Sequence, residues 1–274
     1  MIVSIIGTRG GIGSTTLLSN LFVQVKNNET SHGWLSLTSP FPPLFSESST
    51  NWKKVFSFKK NIPKWNNEKC TYCNDCVDIC VNKAISPLPN GYNIYSELCN
   101  SCKACISACK NDALKFELND VGFIEISNDT NFNLHRINLN EKEIISTWHI
   151  KEIFSFLRAY KEKNSTFFID IPSGLHEYWE EILKLSSSVI IYSDDPFTSD
   201  LIYKSHSPRQ AKLILAITAN SKTEFEKAGY SFAISIPKNK IIAFDSIQGK
   251  IVTDIGFNNS IINLKNIILE KFPS

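Results

Sequence analysis

Eight cysteines constrain this chain more than any other feature, because all of them fall between Cys70 and Cys109 of 274 residues. Residues 70–80 read CTYCNDCVDIC, a C-x2-C-x2-C-x3-C run, and residues 99–109 read CNSCKACISAC with the same spacing. The repeat extends past the thiols, since Ala84-Ile85 and Ala113-Leu114 share the same offset of 29 residues. Such a duplication predicts two related half-modules about a pseudo-twofold axis. A secreted disulfide framework spreads its cysteines along the chain and follows a signal peptide. The opening MIVSIIG reads instead as a buried strand, without a basic start or a long apolar stretch. Clustered thiols usually hold metal. Structural zinc needs four thiolates per site, and two C-x2-C pairs would supply them; zinc and disulfides both leave the further thiols in register unexplained.

Three cysteines spaced by two residues in a tight loop can turn their sulfurs toward one face of an iron–sulfur cubane, with a fourth arriving from elsewhere. Over about Ile62–Glu117 the sequence resembles the bacterial ferredoxins that carry two [4Fe–4S] clusters. In that family the fourth cysteine of each run ligates the other cluster. The resemblance therefore implies one cluster on Cys70, Cys73, Cys76 and Cys109, and a second on Cys99, Cys102, Cys105 and Cys80. The family usually has proline after each fourth cysteine; here Val81 and Lys110 stand there.

Outside the cysteine block the chain alternates apolar strands with helices. Met1–Gly7 is a strand leading into a Gly-rich turn and a helix from Thr15 to about Lys26, and WLSLT (Trp34–Thr38) is a second strand before a Pro/Ser-rich loop. FFIDI (Phe167–Ile171), VIIYS (Val189–Ser193), LILAIT (Leu213–Thr218) and FAISI (Phe232–Ile236) read as further strands. Ile150, Ile153, Phe154 and Leu157 mark an amphipathic helix over about Ile144–Lys163, and Ile261–Phe272 a last helix. This rhythm predicts a mainly parallel sheet covered on both faces, with the cysteine block inserted into it. At 42% hydrophobic and 20% charged, the chain has enough apolar residues for an α/β core and a smaller module.

GTRGGIGSTT (Gly7–Thr16) follows a strand and opens a helix, the setting in which backbone N–H groups cradle phosphates. It resembles the deviant Walker A loop, K-G-G-x-G-K-T-T, of the MinD/ParA family. Gly10, Gly11, Gly13, Thr15 and Thr16 fall in register, whereas Arg9 replaces the signature lysine and Ser14 the P-loop lysine. FFIDIPSG (Phe167–Gly174) resembles the Walker B strand with Asp170 as the magnesium-side carboxylate. SVIIYSDDPFTSDL (Ser188–Leu201) and ISIP (Ile234–Pro237) resemble later strands of the family. The resemblance implies a P-loop NTPase-like fold over 1–60 and 118–274, interrupted by a small α+β ferredoxin-type insertion over 61–117. It also implies ATP or ADP with Mg as ligands and a homodimer as an assembly. LSLTSPFPPLF carries no acid where the family's switch I carboxylate orients water, and Thr218 or Asn220 stands near the base-contacting asparagine. Without that carboxylate and the lysine, the resemblance predicts weak or absent hydrolysis.

The segment Asn51–Lys69 is basic and aromatic. It reads as a linker whose Trp52, Phe56, Phe58 and Trp65 pack while Lys53, Lys54, Lys59, Lys60, Lys64 and Lys69 stay solvated. The alternatives are docking of an acidic redox partner and contact with nucleic acid. His32, His135, His149, His176 and His206 show no ligand spacing, and Asp194 and Asp195 read as a surface loop. A net charge of +2 gives no general case for nucleic acid, and no apolar run is long enough to span a bilayer. The expectation is a cytoplasmic electron-transfer protein with redox partner proteins. Its rivals are an ATP-gated switch and an iron–sulfur cluster carrier.

Overall fold

A computed structural model describes residues 1–25, 32–37, 43–45, 51–127, 133–160, 166–174, 178–199, 212–218, 222–227 and 234–271. The helix end at Lys26, the strand end at Thr38, most of the switch I segment, and Lys163, His176, Leu201, His206, Asn220, Phe232 and Phe272 lie outside the described residues. In chain order the strands are β1 (Ile2–Gly7), β2 (His32–Ser36), β3 (Trp52–Trp65), β4 (Ile85–Leu88), β5 (Gly91–Ile94), β6 (Leu114–Ser127), β7 (Asn133–Leu139), β8 (Thr166–Ile171), β9 (Ser188–Ser193), β10 (Lys212–Thr218) and β11 (Ile234–Ile236). The helices are α1 (Ser14–Val25), α2 (Asp75–Asp78), α3 (Ala104–Ala108), α4 (Thr147–Tyr160), α5 (Trp179–Leu185), α6 (Lys222–Lys227), α7 (Lys240–Ile247) and α8 (Ile255–Lys271).

The chain divides into two compact units. The first comprises Met1–Lys53, Glu125–Ile137 and Ile153–Ser274. Its strands lie in the order β11-β10-β9-β1-β8-β2-β7, and the pairs along this run are parallel. Every residue of β1, β8 and β9 is buried, which is why these segments are continuously apolar rather than alternating. Adjacent phenylalanines of β8 face opposite sides of the sheet. Phe168 packs edge-on against Phe22 of α1 at 5.6 Å, while Phe167 meets His135 at 5.4 Å and His135 meets Phe156 of α4 at 6.3 Å. α1 and α8 thus cover one face, through Leu17, Leu21, Phe22, Ile261 and Leu264, and the Ile153–Tyr160 part of α4 covers the other. The architecture is the α/β, mainly parallel sheet with helices on both faces that the alternation of segments predicts.

The second unit comprises Lys54–Ile124 and Asn138–Glu152. The block from 67 to 113 holds the β4–β5 hairpin and the one-turn helices α2 and α3. The strands flanking that block, β3 and β6, are neighbours of 14 residues each, so the unit takes in more chain than residues 61–117. The linker reading of Asn51–Lys69 is therefore corrected. Alternation along β3 turns Phe56, Phe58 and Lys60 to one side and Lys59 to the other. Phe58 and Lys60 have no exposed surface, so Lys60 is not the solvated cation its composition suggested.

His135 is fully buried, and burial pulls its imidazole down to about 4, against hydrogen bonds to the carbonyls of Asn133 and Trp34 that raise it. A histidine with an ordinary value near 6.5 in the unfolded chain binds its proton there first. The stability this creates is complete above about pH 6.5 and declines toward pH 4, by roughly 3 kcal/mol in all. His135→Leu removes that dependence, so the stability gap between wild type and variant in urea unfolding should narrow from pH 7 to pH 5.

Candidate iron–sulfur and phosphate-loop sites

The two cysteine runs fold into matching loops. Cys70 and Cys99 each follow a single 3-10 turn, their amides bonding to the carbonyls of Asn67 (3.2 Å) and Ser96 (3.1 Å). Two residues on, the amides of Tyr72 and Ser101 donate to the sulfurs of Cys70 and Cys99, each at 3.4 Å. The amides of Ala84 and Ala113 donate to the sulfurs of Cys80 (3.3 Å) and Cys109 (3.2 Å). Backbone conformation repeats too. Tyr72, Asn74 and Lys83 have positive φ, as do their counterparts Ser101, Lys103 and Asp112, and these are all the non-glycine residues with positive φ among the described residues. A non-glycine residue in this region costs on the order of 1–2 kcal/mol. Asn74 and Asp112 suit this region by local preference, whereas Tyr72, Lys83, Ser101 and Lys103 do not.

The loops gather the thiols into two sets. Cys70, Cys73, Cys76 and Cys109 line one concavity, and Cys80, Cys99, Cys102 and Cys105 line another. Burial pushes the Cys105 thiol up to about 11, with Cys99, Cys102 and Cys80 adding to the rise. Burial also raises Cys76, which feels Cys109, Cys70 and Cys73, and it raises Cys99, which feels Cys102 and Cys80. Each fourth cysteine thus belongs to the space of the opposite run. Among the described residues no three His, Cys, Asp or Glu side chains close on a point suited to a single ion. Four thiols around a cavity, with amides aimed at the sulfurs, fit a multinuclear group whose positive charge offsets the burial of thiolates. Val81 and Lys110, which stand where the ferredoxin family has proline, are exposed, and Lys110 lies 3.8 Å from Asp75.

In the first unit the Gly7–Thr16 loop joins β1 to α1. The Thr8 amide bonds to the Tyr192 carbonyl at 3.0 Å, and Gly11 and Gly13 take φ of 71° and 101°, which suit glycine. A Cβ on Gly10 or Gly11 would meet nothing within 4 Å, so this stretch of backbone is open. Thr15 donates to the buried Asp170 at 2.9 Å, and the Thr16 and Ser246 hydroxyls lie 2.6 Å apart. The Ser14 side chain is buried, its hydroxyl oxygen 2.9 Å from where a Cβ on Gly7 would lie. Arg9 forks onto Asp194 through Nε, at 2.9 and 3.1 Å, and through Nη2. Sequence reasoning missed Asp194, and Asp195 too is more than loop surface: it caps the following turn by accepting the amides of Phe197 and Thr198. The position of Asp194 after a strand next to β1 is the signal that could have revealed the first role. Thr218 ends β10 as a buried residue.

The 4Fe-4S binding domain family model matches residues 92–115, which include Cys99, Cys102, Cys105 and Cys109. No curated protein matches the chain in sequence. Solved structures give the fold. A ParA family ATPase from Chlorobium tepidum is 11% identical with a TM-score of 0.54, covering 96% of this chain and 98% of its own. The cell division ATPase MinD of Pyrococcus furiosus is 11% identical at 0.54, with 99% of each chain covered. MinD of Pyrococcus horikoshii, complexed with Mg-ADP, is 13% identical at 0.52, covering 97% and 95%. The chain is an iron–sulfur protein built on the MinD/ParA-type P-loop fold. Among the described residues no helix is long and apolar enough to cross a membrane.

The left-handed positions give a direct test. Lys83 is exposed at φ 52°. Lys83→Gly should leave thermal stability unchanged or slightly raised, whereas the β-branched Lys83→Val should cost about 1–2 kcal/mol more.

Proposed function

We propose that this is an electron-transfer protein carrying two [4Fe–4S] clusters on a P-loop scaffold with weak or absent ATP hydrolysis. The observation that carries the reading is the partition of eight thiols into two sets of four around two separate spaces. Cys70, Cys73, Cys76 and Cys109 would hold one cluster, and Cys99, Cys102, Cys105 and Cys80 the other. Such clusters, when bound, accept and release single electrons. The protein's part is to present thiolates, to aim the amides of Tyr72, Ala84, Ser101 and Ala113 at four of the sulfurs, and to hold the loops in their left-handed turns. In this reading residues 61–117 are an inserted ferredoxin module, flanked by scaffold segments 1–60 and 118–274. The chain works in the cytoplasm, as a monomer or homodimer, with redox partner proteins.

Weak hydrolysis follows from the charges at the phosphate loop. An ammonium about 4 Å from a phosphate is worth roughly 4 kcal/mol at an effective dielectric near 20, and Ser14 cannot supply it. Arg9 is held by Asp194, whose carboxylate that guanidinium keeps below its ordinary range. One observation favours a second reading, the nucleotide-gated switch: the bond from Thr15 to Asp170 keeps a hydroxyl and a carboxylate together where magnesium would be held. A Ser14→Lys variant separates the two. Its ATP affinity by calorimetry should rise roughly thirtyfold, or about 2 kcal/mol, over a weak wild-type value; tight binding with turnover in the wild type would support the switch instead.

The cluster assignment has its own test. Anaerobically purified protein should contain about eight irons and eight sulfides per chain and, after dithionite reduction, give interacting S = 1/2 signals by EPR. Cys105→Ala should keep about half the iron with the magnetic interaction lost. A colourless, zinc-binding preparation would overturn the proposal.

A further inference from the structure

The duplicated module is symmetric in its thiols but not in what surrounds them. Ser96 and Asn67 are counterparts, each accepting the amide of the first cysteine of its run. The Ser96 carbonyl also accepts the Lys60 ammonium at 2.7 Å. The Asn67 carbonyl bonds to the amide of Cys70, and the Asn67 side chain accepts the Tyr72 hydroxyl. Lys60 has no exposed surface. It pairs with Glu143 at 3.2 Å, whose side chain is 4% exposed, and its ammonium lies 5.7 Å from the Trp148 ring centre. The next residue on β3 takes part as well: the carbonyl of Asn61 accepts the Ser101 hydroxyl at 2.8 Å. Two consecutive residues of one strand therefore grip the loop that carries Cys99 and Cys102, and one of them brings a buried positive charge.

We infer that Lys60 is a positioning residue that makes the site of Cys80, Cys99, Cys102 and Cys105 the more easily reduced of the two. The inference rests on the two-cluster reading above. Adding an electron adds negative charge, and a fixed cation nearby favours it, more so where water is excluded. Net charge and hydrogen bonding are among the levers that set cluster potentials. The ion pair is oriented: Lys60 binds the turn before Cys99, while Glu143 lies beyond it, next to His149 at 3.8 Å. Burial holds that histidine down at about 4, and the Lys60 charge adds to the effect, so it is neutral and does not add a second cation.

Two variants test this by EPR-monitored redox titration, with iron and sulfide counted in each. Lys60→Met with Glu143→Gln replaces the buried pair by neutral side chains and leaves no unpaired charge. It should lower one cluster's one-electron reduction equilibrium about tenfold, or about 59 mV, and leave the other within twofold. Glu143→Gln alone keeps the cation, removes its counter-charge, and should shift the same cluster in the opposite direction. Eight irons in both variants with potentials unmoved, or with both clusters moved equally, would overturn the role of Lys60 and leave the two-cluster reading standing. Fewer than two clusters in the wild type would remove the reading itself, and the inference with it. A merely structural lysine would change unfolding without producing shifts of opposite sign.

Discussion

Thiolates withdrawn from water need compensating positive charge, and that requirement organises the cysteine-bearing unit. Burial raises Cys76, Cys99 and Cys105, and in each case the neighbouring thiols push in the same direction. Four such groups facing one space repel one another and resist ionisation. A positively charged inorganic core reverses that balance, because metal coordination deprotonates a thiol outright. Four of the six left-handed residues, Tyr72, Lys83, Ser101 and Lys103, are neither Asn nor Asp and carry a backbone cost of roughly 4–8 kcal/mol. Beside the thiols the apolar cluster is small: Ile85, Cys105 and Leu114, backed by Trp65, Val77, Tyr92 and Ile94.

Duplication supplies the two halves with the same backbone but does not oblige them to share an environment. The hydrogen bonds to Cys70 and Cys99 match within the loops, as do those to Cys80 and Cys109. The differences come partly from the repeat's own side chains, such as Tyr72 against Ser101, and partly from chain outside it. On one side Trp65, Tyr72 and Tyr92 form an aromatic group with ring centres 5.8–6.1 Å apart. On the other, β3 and the residues before α4 deliver Lys60 and Glu143. Aromatic rings exclude water without adding charge, whereas a buried ammonium does both. Two sets of thiols with the same spacing therefore differ in what packs around them.

Spacing made legible which sulfurs share a loop, since a C-x2-C-x2-C-x3-C run fixes that; the exchange of the fourth sulfur was an expectation from the family resemblance. The buried strands β1, β8 and β9 were legible for the same reason, as short continuous apolar runs. Lys60 was not. Composition put it among six lysines of a basic stretch, and only the period of a strand, Phe56, Phe58, Lys60, sends it inward. Its partner Glu143 lies 83 positions away, a separation over which no local pattern operates. Asp194 was missed for a related reason, since its partner Arg9 is 185 positions distant and the two meet only because β9 lies beside β1.

The phosphate loop has the backbone form of an anion cradle but carries Ser14 and a paired Arg9 where a phosphate would meet cations. Gly11 and Gly13 still provide the backbone turns, and Thr15 still reaches the carboxylate at the end of β8. These contacts tie the start of α1 to the central strands, so they stabilise the sheet whether or not a nucleotide is bound. Neither Ser14 nor the paired Arg9 offers a free cation to a phosphate. Ser14 turns its hydroxyl into the protein, and Arg9 satisfies its charge on Asp194. A lysine in place of Ser14, with no phosphate to neutralise, would put an ammonium at a buried position and incur the desolvation that serine avoids.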